Sequence, residues 1–263
     1  MSSRSGRKGT PTDNQFHIHM SPLRVPVIFP PILIPLRSPR DILPYGPNAL
    51  LLNWEQRIDP AISAGVHAWA AAIRRHPAVR ECVPAYASLL VRFAAPLITA
   101  YDLREFIIGL RPEENDRDGS FHHQLPVCYD GPDLEEAATI LRLVPEDLIR
   151  LHSDQNYLVY QVGFRPGFGF LGETIPELEI PRRSIPRAHV PAGSVGIAGR
   201  QTGIYPSDSP GGWQLIGRCP CLLLRKVGNR PALLRAGDTV CFKPVSAAEF
   251  NDLLNSPTPW PER

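Results

Sequence analysis

The sequence predicts an α+β protein in which a small N-terminal α/β layer precedes a larger, mostly β half, and three observations lead there. The N-terminal half shows a strand, helix, strand order, with apolar residues at helical spacing between two short extended runs. The C-terminal half changes to short apolar pieces separated by proline and glycine. With 30 prolines and 20 glycines in 263 residues, the chain favours turns over a helical bundle. Many short strands with frequent turns are best protected by closure into a barrel, which removes exposed sheet edges.

The elements follow in order. Residues 1–20 are polar and read as disordered. The apolar run VPVIFPPILIPL (25–36) carries four prolines in twelve residues, so it is too short and too broken to span a bilayer as a helix. No small-residue cleavage site follows it, and a flexible proline-rich extension over 1–40 is expected. ALLLNW (49–54) is a strand candidate, followed by Ile62, Val66, Trp69 and Ile73 as a helical stripe. His67 and His76 beside that stripe read as packing or terminal residues. ECVPAYASLLVRFAA (81–95) reads as two strands around a turn, completing a small domain over 41–120.

RPEENDRDGSFHHQ (111–124) reads as a solvated polar loop, its adjacent His122 and His123 lacking the spacing of a metal site. PDLEEAATILRL (132–143) and PEDLIRLHS (145–153) read as two short helices with carboxylates near their starts, where the exposed amides favour negative charge. His152 then lies at a helix end, where a partly positive imidazole suits the dipole. YLVYQVGF (157–164) alternates as a strand, with Leu158, Tyr160, Val162 and Phe164 on one face and Tyr157, Val159, Gln161 and Gly163 on the other. RPGFGFLG (165–172) interrupts it, and LLLRKV (222–227) and DTVCFKPV (238–245) are further strand candidates. The barrel domain is expected over 121–255 and a tail over 256–263.

Composition excludes some functions. A net charge of +2, with arginines and lysines scattered, gives no track for a nucleic-acid backbone. The five cysteines have neither CxxC nor zinc spacing, and with no secretory signal they predict reduced thiols in a cytoplasmic protein. Walker A, dinucleotide and GxSxG patterns are all missing.

The chemistry-bearing text is GRQTGIYPSDSPGGWQLIGR (199–218). Gly193, Gly199, Gly203, Gly211, Gly212 and Gly217 permit tight corners or close approach of backbone to a ligand. Gln201, Thr202, Tyr205, Ser207, Asp208, Ser209, Trp213 and Arg218 are interleaved with them and supply hydrogen bonds, stacking surfaces and a cation. Corners of a β-rich domain explain the glycines equally well. Asp208 reads as a turn-forming residue. A second cluster, PRRSIPRAHVPAGS (181–194), brings Arg182, Arg183, Arg187 and His189 together, for an anionic substrate or for an ordinary solvent face.

These segments, together with HSDQNYLVYQVGFRPGFGFLG, LPYGPNALLLNW and VPAYASLLVRF, resemble the B component of the bacterial ATP-dependent 5-oxoprolinase over about residues 41–251. The same family includes the first-subunit region of allophanate hydrolase and a sporulation histidine-kinase inhibitor. The resemblance implies a cyclophilin-like β barrel behind the small α/β domain. It also implies cytoplasmic assembly with the A and C components of 5-oxoprolinase into a complex that opens 5-oxoproline to glutamate with ATP hydrolysis. ATP enters as co-substrate, held wholly or partly by a partner, and phosphorylation of the lactam oxygen would precede attack by water. Within that frame Gln201, Thr202 and Arg218 are the expected catalytic residues, stabilising an oxyanion or holding a carboxylate or phosphoryl group. Tyr205, Gly211, Gly212, Trp213 and His189 are the expected substrate-binding residues. No metal ligands, nucleic acid or membrane are implied. The alternatives are a urea-pathway carboxyltransferase-like component and a non-catalytic kinase regulator. The chain departs from the family text at Asn48, where an aspartate is usual, at Arg200 in place of glycine, at Cys219 in place of threonine or serine, and in GETIPEL.

Overall fold

The computed structural model describes residues 36–112, 120–225, 231–256 and 260, all within a compact unit spanning Leu33–Arg263. The polar N-terminus and all but the last residue of the apolar run lie outside the described residues. None of the described helices is long and apolar enough to cross a membrane.

The first layer is a four-stranded antiparallel sheet. Strands β1 (Asp41–Pro44) and β2 (Ala49–Asn53) lead into helix α1 (Pro60–Arg74), and β3 (Val79–Pro84) and β4 (Ser88–Phe93) follow, in spatial order β1-β2-β4-β3. Helix α1 starts where Asp59 accepts hydrogen bonds from the amides of Ala61 and Ile62, with Pro60 occupying a position whose missing N–H costs nothing. Its predicted stripe of Ile62, Val66, Trp69 and Ile73 packs on Leu50, Leu52, Leu89, Val91 and Phe93 from one face of the sheet. A second helix, α2 (Ala100–Gly109), adds Leu103 and Ile107 to this core. The sequence reading did not anticipate it.

The larger sheet has seven strands: β5 (His122–Val127), β6 (Asn156–Val162), β7 (Gly169–Gly172), β9 (Ser194–Ala198), β10 (Gln201–Ile204), β12 (Gln214–Arg218) and β13 (Thr239–Pro244), in the order β12-β9-β10-β7-β6-β13-β5. Its two edges meet. Just beyond β5, Cys128 exchanges both backbone hydrogen bonds with Arg218, at 2.9 and 2.8 Å, so the sheet closes into the expected barrel. Helices α3 (Leu134–Leu141) and α4 (Pro145–Ser153) lie against β12 and β13, and α5 (Ala247–Asn255) ends the fold. A short two-stranded ribbon joins β8 (Arg187–Val190) to β11 (Ser209–Gly211). The barrel core is filled by Val127, Tyr157, Val159, Leu171, Val195, Ile197, Ile204, Ile216, Val240 and Phe242.

Four local expectations change. His122 and His123 are not in a loop: they begin β5, pairing in parallel with Thr239 and Val240 of β13. His123 is buried, its Nε2 3.0 Å from an Asp238 carboxylate oxygen, a long-range partner invisible to local spacing. In β6 a bulge between Val159 and Gln161 breaks the strict alternation, so Val162 packs with Tyr157 and Val159 on the core. The described part of LLLRKV is not a strand; only Leu224 makes a bridge, to Ala232. His152 lies in the last turn of α4 as expected, but it is wholly buried, so its imidazole is not the partly positive group the helix end suggested.

Candidate functional site

Strand β10 sorts the predicted residues onto two faces, because successive side chains of a strand point to opposite sides. Thr202 and Ile204 turn into the barrel, and Gln201, Gly203 and the following Tyr205 turn outward.

Inside the barrel, the Thr202 hydroxyl donates to the Gly196 carbonyl at 3.0 Å and lies 2.8 Å from His152 Nε2. The other ring nitrogen, Nδ1, is 2.7 Å from the Tyr129 hydroxyl. A carbonyl can only accept, so the chain has one consistent polarity: Tyr129 donates to Nδ1, Nε2–H donates to Thr202, and Thr202 donates to Gly196. The imidazole is neutral, and burial pushes its pKa down to about 3. Thr202 is therefore a buried link in a hydrogen-bonded core.

The outward face carries aromatic rings. Phe168, Tyr205 and Trp213 are buried together, with Phe168 edge-on to Tyr205 at 5.3 Å and to Trp213 at 5.5 Å. A Cβ at Gly203 would lie 2.9 Å from the Gly169 carbonyl and 3.1 Å from the Phe168 ring, so only glycine lets the rings settle on β10. Gly211 lies directly against the Tyr205 ring, and Gly212 packs on Pro186. Tyr205 and Trp213 thus form the floor of this face.

Gln201 stands at the edge of that floor. Its carboxamide nitrogen donates to the hydroxyl of Tyr86, at the tip of the β3–β4 hairpin. The Tyr86 ring lies 5.6 Å from Tyr160 and 5.9 Å from Phe170. Burial raises the Tyr86 hydroxyl well above the usual tyrosine range, so it stays protonated and can itself donate. Tyr160 is held up by burial as well. Its backbone carbonyl lies 3.3 Å from His67 Nε2 of α1, so His67 joins the small layer to the barrel. Gln201, Tyr86 and Phe170 are half-buried and open to solvent on one side. Arg200 borders them, bound to Glu173 at 3.1 Å and to the Thr174 carbonyl.

The other predicted residues lie elsewhere. Arg218 pairs in register with Ser194, whereas Gln201 pairs with Ala198, so they stand about 13 Å apart along β9. Arg218 clasps Asp130 across the barrel seam and lies over the Phe250 ring at 4.5 Å. His189 is exposed, 3.1 Å from Asp208, whose other oxygen accepts from the Ala192 amide. Of the departures, Asn48 is exposed in the β1–β2 turn, and Cys219 is buried beside Cys221, its thiol raised by that neighbour and by burial. All five cysteines are free. Among the described residues no three His, Cys, Asp or Glu side chains gather as a metal site.

Sequence reasoning missed Tyr86, Tyr160 and Phe170. One cue was available: PAYAS puts a tyrosine at a hairpin tip, where glycine, asparagine or aspartate is the usual choice.

Residues 40–234 match the carboxyltransferase domain, subdomain C and D. The chain is 40% identical over 223 residues to the B component of 5-oxoprolinase from Bacillus subtilis, covering 78% of this chain and 93% of that one. It is 37% identical over 209 residues to the corresponding B component of Escherichia coli O157:H7, covering 76% and 93%. The crystal structure of TTHA0988 superposes with a TM-score of 0.68 at 34% identity, covering 82% of this chain and 41% of that one, so the chain spans about two fifths of that relative. The barrel with its glycine-rich β9–β12 text, and these matches across most of its length, place the chain in the 5-oxoprolinase B-component family of carboxyltransferase-domain proteins.

Proposed function

We propose that the chain is the B component of a 5-oxoprolinase complex that opens 5-oxoproline to glutamate with ATP hydrolysis, working with the A and C components. The observation that carries this reading is the 40% identity to a protein of that name over 93% of its length. The outward face of β10 supports it chemically. A five-membered lactam presents its C=O and N–H on adjacent ring atoms, side by side. The Gln201 carboxamide presents the complementary donor and acceptor, and among the described residues only Tyr86 engages it. The half-buried rings of Tyr86 and Phe170 supply ring-sized apolar walls, with Tyr160 buried behind Tyr86, and the protonated Tyr86 hydroxyl can donate to an oxygen that gains charge as the amide is attacked.

The N-termini of the described helices suit a nucleotide phosphate poorly. A helix N-terminus is the usual seat for phosphate, yet every one of the five described helices starts with acid: Asp59 at α1, Asp102 at α2, Glu135 and Glu136 at α3, Glu146 and Asp147 at α4, and Glu249 at α5. ATP and the phosphoryl step belong to a partner in this reading, and the barrel holds and orients the cyclic amide.

The test is glutamate formation from 5-oxoproline and ATP by the three co-expressed proteins, with this chain omitted as control. Turnover that needs all three supports the reading. Equal turnover without this chain, or none from an assembled complex, sinks it.

A further inference from the structure

Residues 182–218 carry five arginines, and four are already committed. Arg183 and Arg187 reach the buried Asp133 at 3.0 and 2.5 Å, Arg200 holds Glu173, and Arg218 holds Asp130. Arg182 makes no ion pair among the described residues.

The backbone fixes where Arg182 stands. Ile180 exchanges two hydrogen bonds with Gly199, two residues before Gln201. The Pro181 carbonyl accepts from the Gln214 side chain, and the Arg183 amide donates to the Gly212 carbonyl at 2.8 Å, beside Trp213. The segment 180–183 therefore crosses from the start of β10 to the start of β12 along the rim of the aromatic floor. Arg183 goes down to Asp133, whereas Arg182 on the rim is exposed. Its charge is felt there by two hydroxyls: burial raises Tyr86 and Tyr205, and Arg182 opposes that rise at both.

An uncommitted guanidinium beside a carboxamide and two aromatic walls has a definite chemical complement. We propose that Arg182 holds the substrate carboxylate at the Tyr86–Gln201 face and selects cyclic amides that carry a carboxylate on the carbon next to the ring nitrogen. This deepens the functional reading above and rests on it for the identity of the amide. It also moves the carboxylate-holding role from Arg218, the arginine first expected to fill it, to one that has no acidic partner among the described residues. A planar guanidinium binds a carboxylate through two parallel hydrogen bonds, so the contact fixes the ring's orientation as well as its charge.

The experiment uses the assembled three-component complex, wild type against Arg182→Ala, Arg182→Gln and Arg182→Lys. KM and kcat are measured for 5-oxoproline, alongside inhibition by 2-pyrrolidinone, the same ring without the carboxylate. Loss of a charge-assisted contact should raise KM about tenfold to a hundredfold in the alanine and glutamine variants. Lysine should recover part of the loss, with kcat little changed and 2-pyrrolidinone inhibition the same in all four proteins. An unchanged KM, a fall in kcat alone, or parallel weakening of 2-pyrrolidinone would overturn the assignment. If the wild-type complex turns over no 5-oxoproline, the component reading fails, and calorimetric titration decides Arg182 separately. Binding of 5-oxoproline that Arg182→Gln abolishes would sustain the carboxylate role. Absence of binding, or binding indifferent to the substitution, would end it.

Discussion

His152 Nε2 and the Thr202 hydroxyl meet at 2.8 Å inside the barrel, fifty residues apart in sequence, and the contact ties α4 to the strand that presents Gln201. Thr202 has its own outlet in the Gly196 carbonyl, so the two residues hold β9, β10 and α4 in one register. Thr202→Val keeps the shape and removes the hydroxyl, leaving the buried His152 N–H without its partner. Denaturant unfolding should show a loss of about 1–3 kcal/mol. Thr202→Ser, which keeps the hydroxyl, should lose less than Thr202→Val.

The same imidazole makes stability depend on pH. Its folded pKa of about 3 lies far below the ordinary histidine value of 6.5, so between those values the unfolded chain binds the extra proton. The stabilisation is complete above about pH 6.5 and is lost as pH falls toward 3, with a slope approaching about 1.4 kcal/mol per pH unit. Unfolding free energies measured from pH 7 to pH 5 should decline in the wild type. A His152→Gln protein, less stable throughout, should show a flatter profile over that range.

Gln201→Leu removes the carboxamide but keeps the bulk. In the assembled complex it should lower kcat/KM for 5-oxoproline by about a hundredfold or more, since an amide left without its partner in a partly desolvated site loses several hydrogen bonds at once. Tyr86→Phe, which leaves the ring walls intact, should have a smaller effect of about tenfold. Both proteins should unfold within about 1 kcal/mol of wild type, because both side chains are half-exposed.

Asp133 is 1% exposed and accepts from Arg183, Arg187 and the Leu215 amide. Asp133→Ala strands the Arg187 guanidinium and the Leu215 amide and leaves Arg183 with only the more distant Glu136. The expected cost is about 3–5 kcal/mol, seen as a lowered denaturation midpoint.

Gly203→Ala tests the aromatic floor. The added methyl meets the Gly169 carbonyl and Phe168, neither of which can retreat without shifting β7. A loss of about 1–3 kcal/mol is expected, with a change in near-ultraviolet circular dichroism as Phe168, Tyr205 and Trp213 repack.

What was legible in the sequence was whatever rests on local period and punctuation. The α1 stripe, the proline-started α4, the β3–β4 hairpin and the barrel half all stood out because neighbours in sequence are neighbours in the element. His123 and His152 were misread for the opposite reason: their partners, Asp238 and Thr202, lie 115 and 50 residues away. The glycine-rich stretch was recognisable as unusual, yet its two roles could not be separated. Corner-building and ring-seating both call for glycine, and only the register of β9, β10 and β12 shows Gly203 and Gly211 seating rings. Arg218 looked functional from its place in the motif, but its partner Asp130 arrives from the far edge of the sheet. Tyr86 belongs to the small layer and reaches the barrel face only after the two cores dock.

The closure at Cys128 and Arg218 sets an order for biogenesis. Strand β5 must wait for β12 and then for β13, whose parallel pairing begins more than a hundred residues further along the chain. The four-stranded layer, by contrast, has all its strands in hand once Phe93 has left the ribosome. It can therefore fold during synthesis while the barrel strands remain edge-exposed and at risk of pairing between chains. Co-translational yield should thus be limited by the last fifth of the polypeptide, and truncations that end before Pro244 should accumulate as aggregates with an intact first layer.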